Sequence, residues 1–256
     1  ETVKVAAVQH DIQWLNREAN FAHLDGRIAE AVAEGAQLVV LSEMFSTGFA
    51  VGDTWDASMP ESRGGDSSQF IASASKRYGV WVAGSCPETS TAGDRPANTL
   101  VLAGPGGELH RYEKIHPFSY GGEDKFFRPG SGTVTVDVDG VSVSLFVCYD
   151  LRFADKFWDL AETTDLYIVP ANWPASRAAH WSTLLEARAI ENQAYVMGVN
   201  RVGTGGGLVY SGGSRIVGPF GEDIARAGDG ETIIYGEVSP QYVRDVRARY
   251  PFLRDR

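Results

Sequence analysis

The chain is 256 residues long, enough to bury a substantial core as one large domain or two small ones. Its formal net charge is −10 and its lysines and arginines are scattered without a basic stripe, which argues against nucleic acid or an anionic membrane as the main partner. No apolar run reaches the roughly 18 residues that span a bilayer, and no positively charged leader precedes an apolar segment, so a cytoplasmic location is expected.

Taken in chain order, Val3 to Val8 is apolar and β-branched and reads as a strand. Asn16 is placed to cap a helix running to about Glu34, which Gly35 stops. Gln37 to Leu41 is a short apolar strand of the kind buried on both faces. Asp66 begins a second helix that ends near Tyr78, with Gly79 just past its end, and Val80 to Gly84 is another strand. Asn98–Ala103 and Leu109–Glu113 flank Gly104-Pro105-Gly106-Gly107, a hairpin signal. Val134–Val138 and Val141–Val147 flank Asp139-Gly140, a second one. A helix, a strand at Leu166–Val169, a long helix from about Arg177 to Gln193 and a strand at Tyr195–Val199 follow.

The order repeats. Leu102-Ala103-Gly104-Pro105-Gly106-Gly107-Glu108 is echoed by Ile216-Val217-Gly218-Pro219-Phe220-Gly221-Glu222, each copy after a helix and an apolar strand. Two similar α/β halves in one domain, residues 1–256, account for this better than two independent domains. Halves with mixed sheets would pack sheet against sheet with helices outside.

The chain has two cysteines, Cys86 and Cys148, too few for a disulfide framework. Cys148 follows the buried-strand pattern Val143–Val147 and leads toward a helix, a junction that exposes a side chain at the carboxyl edge of a sheet. Position alone slightly favours a buried thiol acting as a small hydrophobe. A reactive thiol needs a base or a positive field. None of the five histidines sits in a papain-like or caspase-like context, although His116 lies close to Lys114 and leaves a Cys/His pair open. Lys114 ends a strand, and Glu43 comes just after the apolar run Leu38 to Leu41 and Ser42, where an enclosed carboxylate needs a partner or a task. Cys86 reads as a small structural thiol.

Leu41-Ser42-Glu43-Met44-Phe45, Tyr112-Glu113-Lys114-Ile115-His116 and Phe146-Val147-Cys148-Tyr149-Asp150-Leu151-Arg152-Phe153 together resemble the three signature segments of the nitrilase, or carbon–nitrogen hydrolase, superfamily. The resemblance runs from Val3 to Tyr250-Pro251-Phe252-Leu253-Arg254 and departs at Ala154, where many relatives have proline. It implies an αββα four-layer sandwich with two mixed sheets and an internal pseudo-two-fold repeat. It also implies a catalytic Glu43, Lys114 and Cys148, with Cys148 as nucleophile, Glu43 as proton carrier and Lys114 as oxyanion partner beside the Tyr149 N–H. Glu123 matches a fourth catalytic position, and Tyr149, Asn172 and Trp173 match pocket positions. No metal or other cofactor is implied.

Ala171-Asn172-Trp173-Pro174, Glu186-Ala187-Arg188-Ala189-Ile190-Glu191-Asn192-Gln193 and Gly198-Val199-Asn200-Arg201-Val202-Gly203 resemble the omega-amidases most. Those enzymes release ammonia from the terminal amide of 2-oxo acids such as 2-oxoglutaramate. A substrate carboxylate calls for a cationic rim, for which Arg177 and Arg201 are near in sequence. Other branches act on N-carbamoyl groups, aliphatic amides, nitriles or deaminated glutathione. A non-catalytic binding or scaffold protein of the same fold is the alternative from another class. A dithiol redox protein is disfavoured because no C-x-x-C is present. A homodimer is expected, formed through Phe157-Trp158 and Tyr250-Pro251-Phe252.

Overall fold

The computed structural model describes residues 2–91 and 93–256. Its first half comprises β1 (Val3–Gln9), α1 (Arg17–Ala33), β2 (Leu38–Val40), β3 (Glu61–Ser62), α2 (Asp66–Tyr78), β4 (Trp81–Thr89), β5 (Ala97–Ala103), β6 (Leu109–Glu113) and the single-turn α3 (Glu123–Phe126). The second half comprises β7 (Thr135–Val138), β8 (Val141–Leu145), α4 (Ala154–Asp159), β9 (Leu166–Ala171), α5 (Ala178–Asn192), β10 (Tyr195–Asn200), β11 (Val202–Gly205), β12 (Leu208–Ser211), β13 (Arg215–Val217), β14 (Asp223–Arg226), β15 (Thr232–Val238) and α6 (Pro240–Arg249).

Local chemistry sets most boundaries. The Asn16 side chain accepts the Ala19 N–H at 3.1 Å and opens α1, which buries Asn20, Leu24, Ile28 and Ala31 along one stripe. Gly79 closes α2 in the left-handed region, donating its N–H to the Ser75 carbonyl. Asp139 and Gly140, both at positive φ, make the tight turn between β7 and β8. Ser239 caps α6 and Pro240 occupies its first turn.

The strands form two large sheets, ordered β15-β1-β2-β4-β5-β6 and β14-β13-β10-β9-β8-β7, with β3 joining β4 and a separate β11–β12 hairpin. Strand for strand the two orders correspond. In the first, β1, β2 and β4 run parallel, and β15, β5 and β6 pair antiparallel at the flanks. In the second, β8, β9 and β10 run parallel, flanked antiparallel by β7, β13 and β14. The echoed turns have the same bonds: Gly104 N–H to Glu108 O and Gly107 N–H to Gly104 O recur as Gly218 to Glu222 and Gly221 to Gly218. The internal repeat read from the sequence is therefore a repeat of the fold.

Alternation along the strands creates the layers. On β1 and β2, Val5, Ala7, Leu38 and Val40 pack toward the second sheet, whereas Ala6, Val8, Val39 and Leu41 pack under α1 and α2. Burying each such Val or Leu contributes about 1.5–3 kcal/mol. On the other side, Gly198 of β10 lets α5 approach closely, since a Cβ there would lie 2.6 Å from Leu185 Cδ1 and 2.7 Å from Trp181. The result is an αββα sandwich. No helix among the described residues is long and apolar enough to cross a membrane. Phe157, expected at a dimer contact, is instead fully buried, stacked on Phe146 at 4.2 Å and packed against Tyr167 at 5.1 Å. Trp158 is half-buried beneath the Arg256 guanidinium.

One buried side chain links the ends of β1 and β2. His10 receives the Ser42 backbone N–H at its Nε2 (3.3 Å), lies 2.9 Å from Ser42 Oγ through the same nitrogen, and has Nδ1 2.9 Å from the Asp11 carbonyl. These partners suit a neutral ring with its proton on Nδ1. Burial depresses the His10 pKa from 6.5 to about 4, with the Asp11 carbonyl opposing the shift and Arg201 adding to it. The folded value lies below the unfolded one, so the stability this neutral ring provides is present above pH 6.5 and is lost as pH falls toward 4. The expected loss across that window is about 3 kcal/mol. Urea unfolding at a series of pH values should show it, and His10→Gln should flatten the profile; equal slopes in both proteins would contradict the assignment.

Candidate active site

The carboxyl ends of the parallel strands of both sheets converge on one edge, and the candidate site residues gather there. After β8, Phe146 and Val147 continue the chain and Cys148 turns it, with φ of +45°, into a five-residue 3-10 helix ending at Arg152. A non-glycine residue in the left-handed region costs about 1–3 kcal/mol, so its surroundings must hold it there. Asp150 does so in part: its Oδ2 accepts the Val147 N–H at 3.0 Å. Arg188 of α5 donates two bonds to the Leu151 carbonyl from the other side. Cys148 is 8% exposed, with Sγ 3.9 Å from the Asn172 carbonyl.

Glu43 comes off β2 through Leu41, whose N–H bonds Ala83 O, and Ser42, held by His10. Met44, also at positive φ, donates its N–H to Ser85 Oγ at 3.0 Å. The Glu43 carboxylate is fully buried. Oε1 accepts from Lys114 Nζ at 2.9 Å and Asn98 Nδ2 at 2.8 Å, and Oε2 accepts the Asn172 N–H at 2.8 Å. The Asn172 side chain also donates to the Glu43 carbonyl.

Lys114 leaves β6 with its own N–H on Asn98 O, and its ammonium reaches Glu43 Oε1 and, at 2.8 Å, Glu123 Oε2. The Phe49 ring lies 5.3 Å from Nζ. Glu123 opens the single turn of α3; its Oε2 also accepts the Phe118 N–H and its Oε1 lies 3.1 Å from Asn98 Nδ2. Lys114, Glu43 and Glu123 are each at most 1% exposed. Burial opposes the Lys114 charge, but Glu123 and Glu43 outweigh it and hold the ammonium pKa above its ordinary value. Burial and the neighbouring Glu43 charge push the Glu123 carboxyl up, against the pull of Lys114. Burial, with Glu43 added, pushes the Cys148 thiol well up, while Lys114 draws it down. A thiol raised in this way calls for a nearby base if it is to act as a nucleophile.

Glu43, Lys114, Glu123 and Cys148 thus lie together, and Tyr149, Asn172 and Trp173 line the adjoining pocket. The pocket holds about 420 Å³ of empty space, part of it open to solvent. Trp173 is pinned by its own N–H on Asn200 Oδ1 and by its ring N–H on the Arg177 carbonyl. Of the two arginines considered for the rim, Arg177 lines the pocket, its guanidinium 5.5 Å from the Phe118 ring centre. Arg201 does not: it is buried, donates to Asp11 at 2.9 Å and stacks on Tyr210.

Sequence reasoning missed Arg152, which lines the pocket, lies 4.8 Å from the Trp173 ring centre and touches His180. Neither Arg152 nor Arg177 meets a carboxylate among the described residues. Asn98 was also missed as a site residue; a polar residue heading the fully buried strand Ala97–Ala103 was the available signal. His116 pairs with Asp150 at 2.8 Å rather than with the thiol. Cys86 is fully buried on β4 among the outer-core residues, and both cysteines are free.

Residues 4–248 match the family model for the carbon-nitrogen hydrolases. The chain is 36% identical over 255 residues to the omega-amidase YafV of Escherichia coli K12, covering 99% of this chain and 96% of that one. It is 29% identical to the 2-oxoglutaramate amidase of Bacillus subtilis strain 168, covering 98% and 96%. The crystal structure of XC1258 from Xanthomonas campestris, a CN-hydrolase superfamily protein with an arsenic adduct in its active site, superimposes with a TM-score of 0.92 at 30% identity, covering 100% and 97%. The chain belongs to the carbon–nitrogen hydrolase family of the nitrilase superfamily and is a hydrolase of carbon–nitrogen bonds other than peptide bonds.

Proposed function

We propose that this enzyme hydrolyses the terminal amide of a small 2-oxo acid with a carboxylate at its far end, such as 2-oxoglutaramate, through a thioester on Cys148. The observation that carries the reading is the buried Glu43–Lys114–Glu123 cluster against Cys148, in a pocket bearing two arginines with no carboxylate partner among the described residues. The omega-amidase and 2-oxoglutaramate amidase relatives support the same substrate class.

The chemistry runs in two halves. As Sγ attacks the amide carbon, Glu43 takes the thiol proton and the carbonyl π pair moves onto oxygen. The Lys114 ammonium and the Tyr149 N–H stabilise that oxyanion. Collapse breaks the C–N bond, Glu43 returns its proton to nitrogen, and ammonia leaves behind a thioester. Glu43 then takes a proton from water as the oxygen attacks the thioester carbon. The second collapse releases the carboxylic acid, and the sulfur recovers its proton. Glu123 holds Lys114 in place and presents an acceptor to the substrate NH₂. The acyl chain lies along Trp173, and its carboxylate meets Arg177 and Arg152 by charge-assisted hydrogen bonds.

The reading implies one domain over residues 1–256, since Glu43, Lys114 and Glu123 come from the first half and Cys148, Asn172 and Trp173 from the second. It also implies a homodimer joined through the exposed apolar face of Ile190, Phe220 and Phe252, where Tyr250 stacks on Phe220 and tilts against Phe252. Light scattering should give twice the chain mass; a single-chain mass contradicts the dimer.

Ammonia release from a panel of amides tests the activity. Wild type should turn over 2-oxoglutaramate and Cys148→Ala should not. Arg152→Met and Arg177→Met should each lower kcat/KM for 2-oxoglutaramate by about 10- to 100-fold, the worth of a hydrogen bond to a charged group, and spare an uncharged amide such as propionamide. Equal losses on both amides would remove the carboxylate anchor. Preference for the uncharged amide would favour the aliphatic-amidase reading. No release from any amide, nitrile or carbamoyl compound would favour a binding role.

A further inference from the structure

Asp150 is a fully buried carboxylate with no lysine or arginine among its described partners, yet each of its oxygens accepts two hydrogen bonds. Oδ2 accepts the Tyr112 hydroxyl at 2.7 Å and the Val147 N–H at 3.0 Å. Oδ1 accepts the His116 N–H at 3.0 Å and contacts its ring Nδ1 at 2.8 Å. These donors are not scattered. Tyr112 and His116 stand two residues before and two residues after Lys114, and Val147 immediately precedes Cys148. The Tyr112 oxygen also accepts the Ile115 N–H at 3.3 Å, drawing the strand end around it. Burial and the Asp150 charge push the Tyr112 hydroxyl well up, which keeps its proton available to donate. Outside the hub, the His116 ring stacks on Phe153 at 3.7 Å with an interplanar angle of 2°, and Phe153 meets Tyr149 of the pocket wall edge-on at 5.2 Å.

We propose that Asp150 is a positioning residue that fastens the Lys114 segment to the strained Cys148 turn, so that ammonium and sulfur keep a fixed separation through both halves of the reaction. Two segments bound to one carboxylate cannot drift apart without leaving that carboxylate buried and short of donors, a costly state. The arrangement also explains how a non-glycine residue is held at positive φ: the Val147–Asp150 bond closes the turn, and the Tyr112 and His116 bonds brace Asp150 from the neighbouring sheet. The proposal rests on the amidase reading for its rate measurement, and a second measurement is independent of it.

The test is Asp150→Asn, with Tyr112→Phe as the milder variant should the first fail to fold. Cys148 is alkylated with methyl vinyl sulfone, which carries no amide, and the modified sites are counted by peptide mass spectrometry; an unmodified Cys86, buried in the outer core, marks the molecules that are folded. Ammonia release is then expressed per alkylatable Cys148. A misplaced reacting group costs up to about 100-fold, so kcat per site should fall about 10- to 100-fold in Asp150→Asn. A smaller loss of about 3- to 10-fold is expected in Tyr112→Phe, with KM within about twofold in both. A per-site kcat within about twofold of wild type in every folded variant overturns the proposal. The alkylation rate of Cys148 is also followed across pH, which requires no amide. Wild type that is alkylated but releases no ammonia defeats the amidase reading alone. In that case, a pH profile displaced in the variants supports the hub and an unchanged profile overturns it.

Discussion

Everything at this site depends on one buried ammonium between two carboxylates. Lys114 lies 2.9 Å from Glu43 and 2.8 Å from Glu123, with all three groups sealed from solvent. Taking such charges out of water costs several kcal/mol per ion unless attraction and hydrogen bonds repay it. The protein repays it with fixed donors: Asn98 spans both carboxylates, the Asn172 N–H binds Glu43, and the Phe118 N–H binds Glu123. One cation for two carboxylates leaves the cluster rich in negative charge, so a proton is held readily nearby. Burial raises both the Glu123 carboxyl and the Cys148 thiol, and the Glu43 charge adds to each. In the proposed reaction this cluster would pass a proton between sulfur, nitrogen and the attacking water.

The fold places these groups by repetition and then departs from the repetition to make chemistry. Equivalent strands of the two halves end at the same edge: Glu43 follows β2 as Asn172 follows β9, and His10 follows β1 as Cys148 follows β8 after a short extension. The paired positions have different duties. His10 braces the residue before Glu43, whereas Cys148 is presented on a strained turn; Glu43 carries charge, whereas Asn172 holds Glu43 by its backbone and side chain. The parallel strands end at the same edge in each sheet, so neither half contains the site alone.

Much of this was legible because covalent order and local chemistry determine it. The capping Asn16, Gly79, the Asp139-Gly140 turn and the echoed Gly-Pro turns are short-range signals, and all appear where the residues indicate. Glu43 stood out because a carboxylate after a buried strand is expensive unless partnered. What escaped was decided in three dimensions. Arg152 sits one turn beyond the cysteine and reaches the pocket only because the 3-10 geometry aims it there. Asn98 and Asp150 gain meaning only through partners dozens of residues away. Arg201, near the pocket in sequence, is consumed by Asp11 and Tyr210. Phe157, expected at an interface, instead fills the space between Phe146 and Tyr167. The β11–β12 hairpin, which brings Leu208 and Tyr210 to the pocket, carries four glycines and no strong alternation to announce it.

The central claim is that Glu43 moves the proton. Glu43→Gln keeps the shape and an oxygen for Lys114 and Asn98 but cannot accept a proton from sulfur or water. The measurement is ammonia release per alkylatable Cys148 in this variant, alongside circular dichroism to establish the fold. The account predicts a folded protein whose kcat is lower by about 10²- to 10⁴-fold, the usual contribution of a general acid–base group. A folded Glu43→Gln that retains kcat within about tenfold of wild type would contradict it.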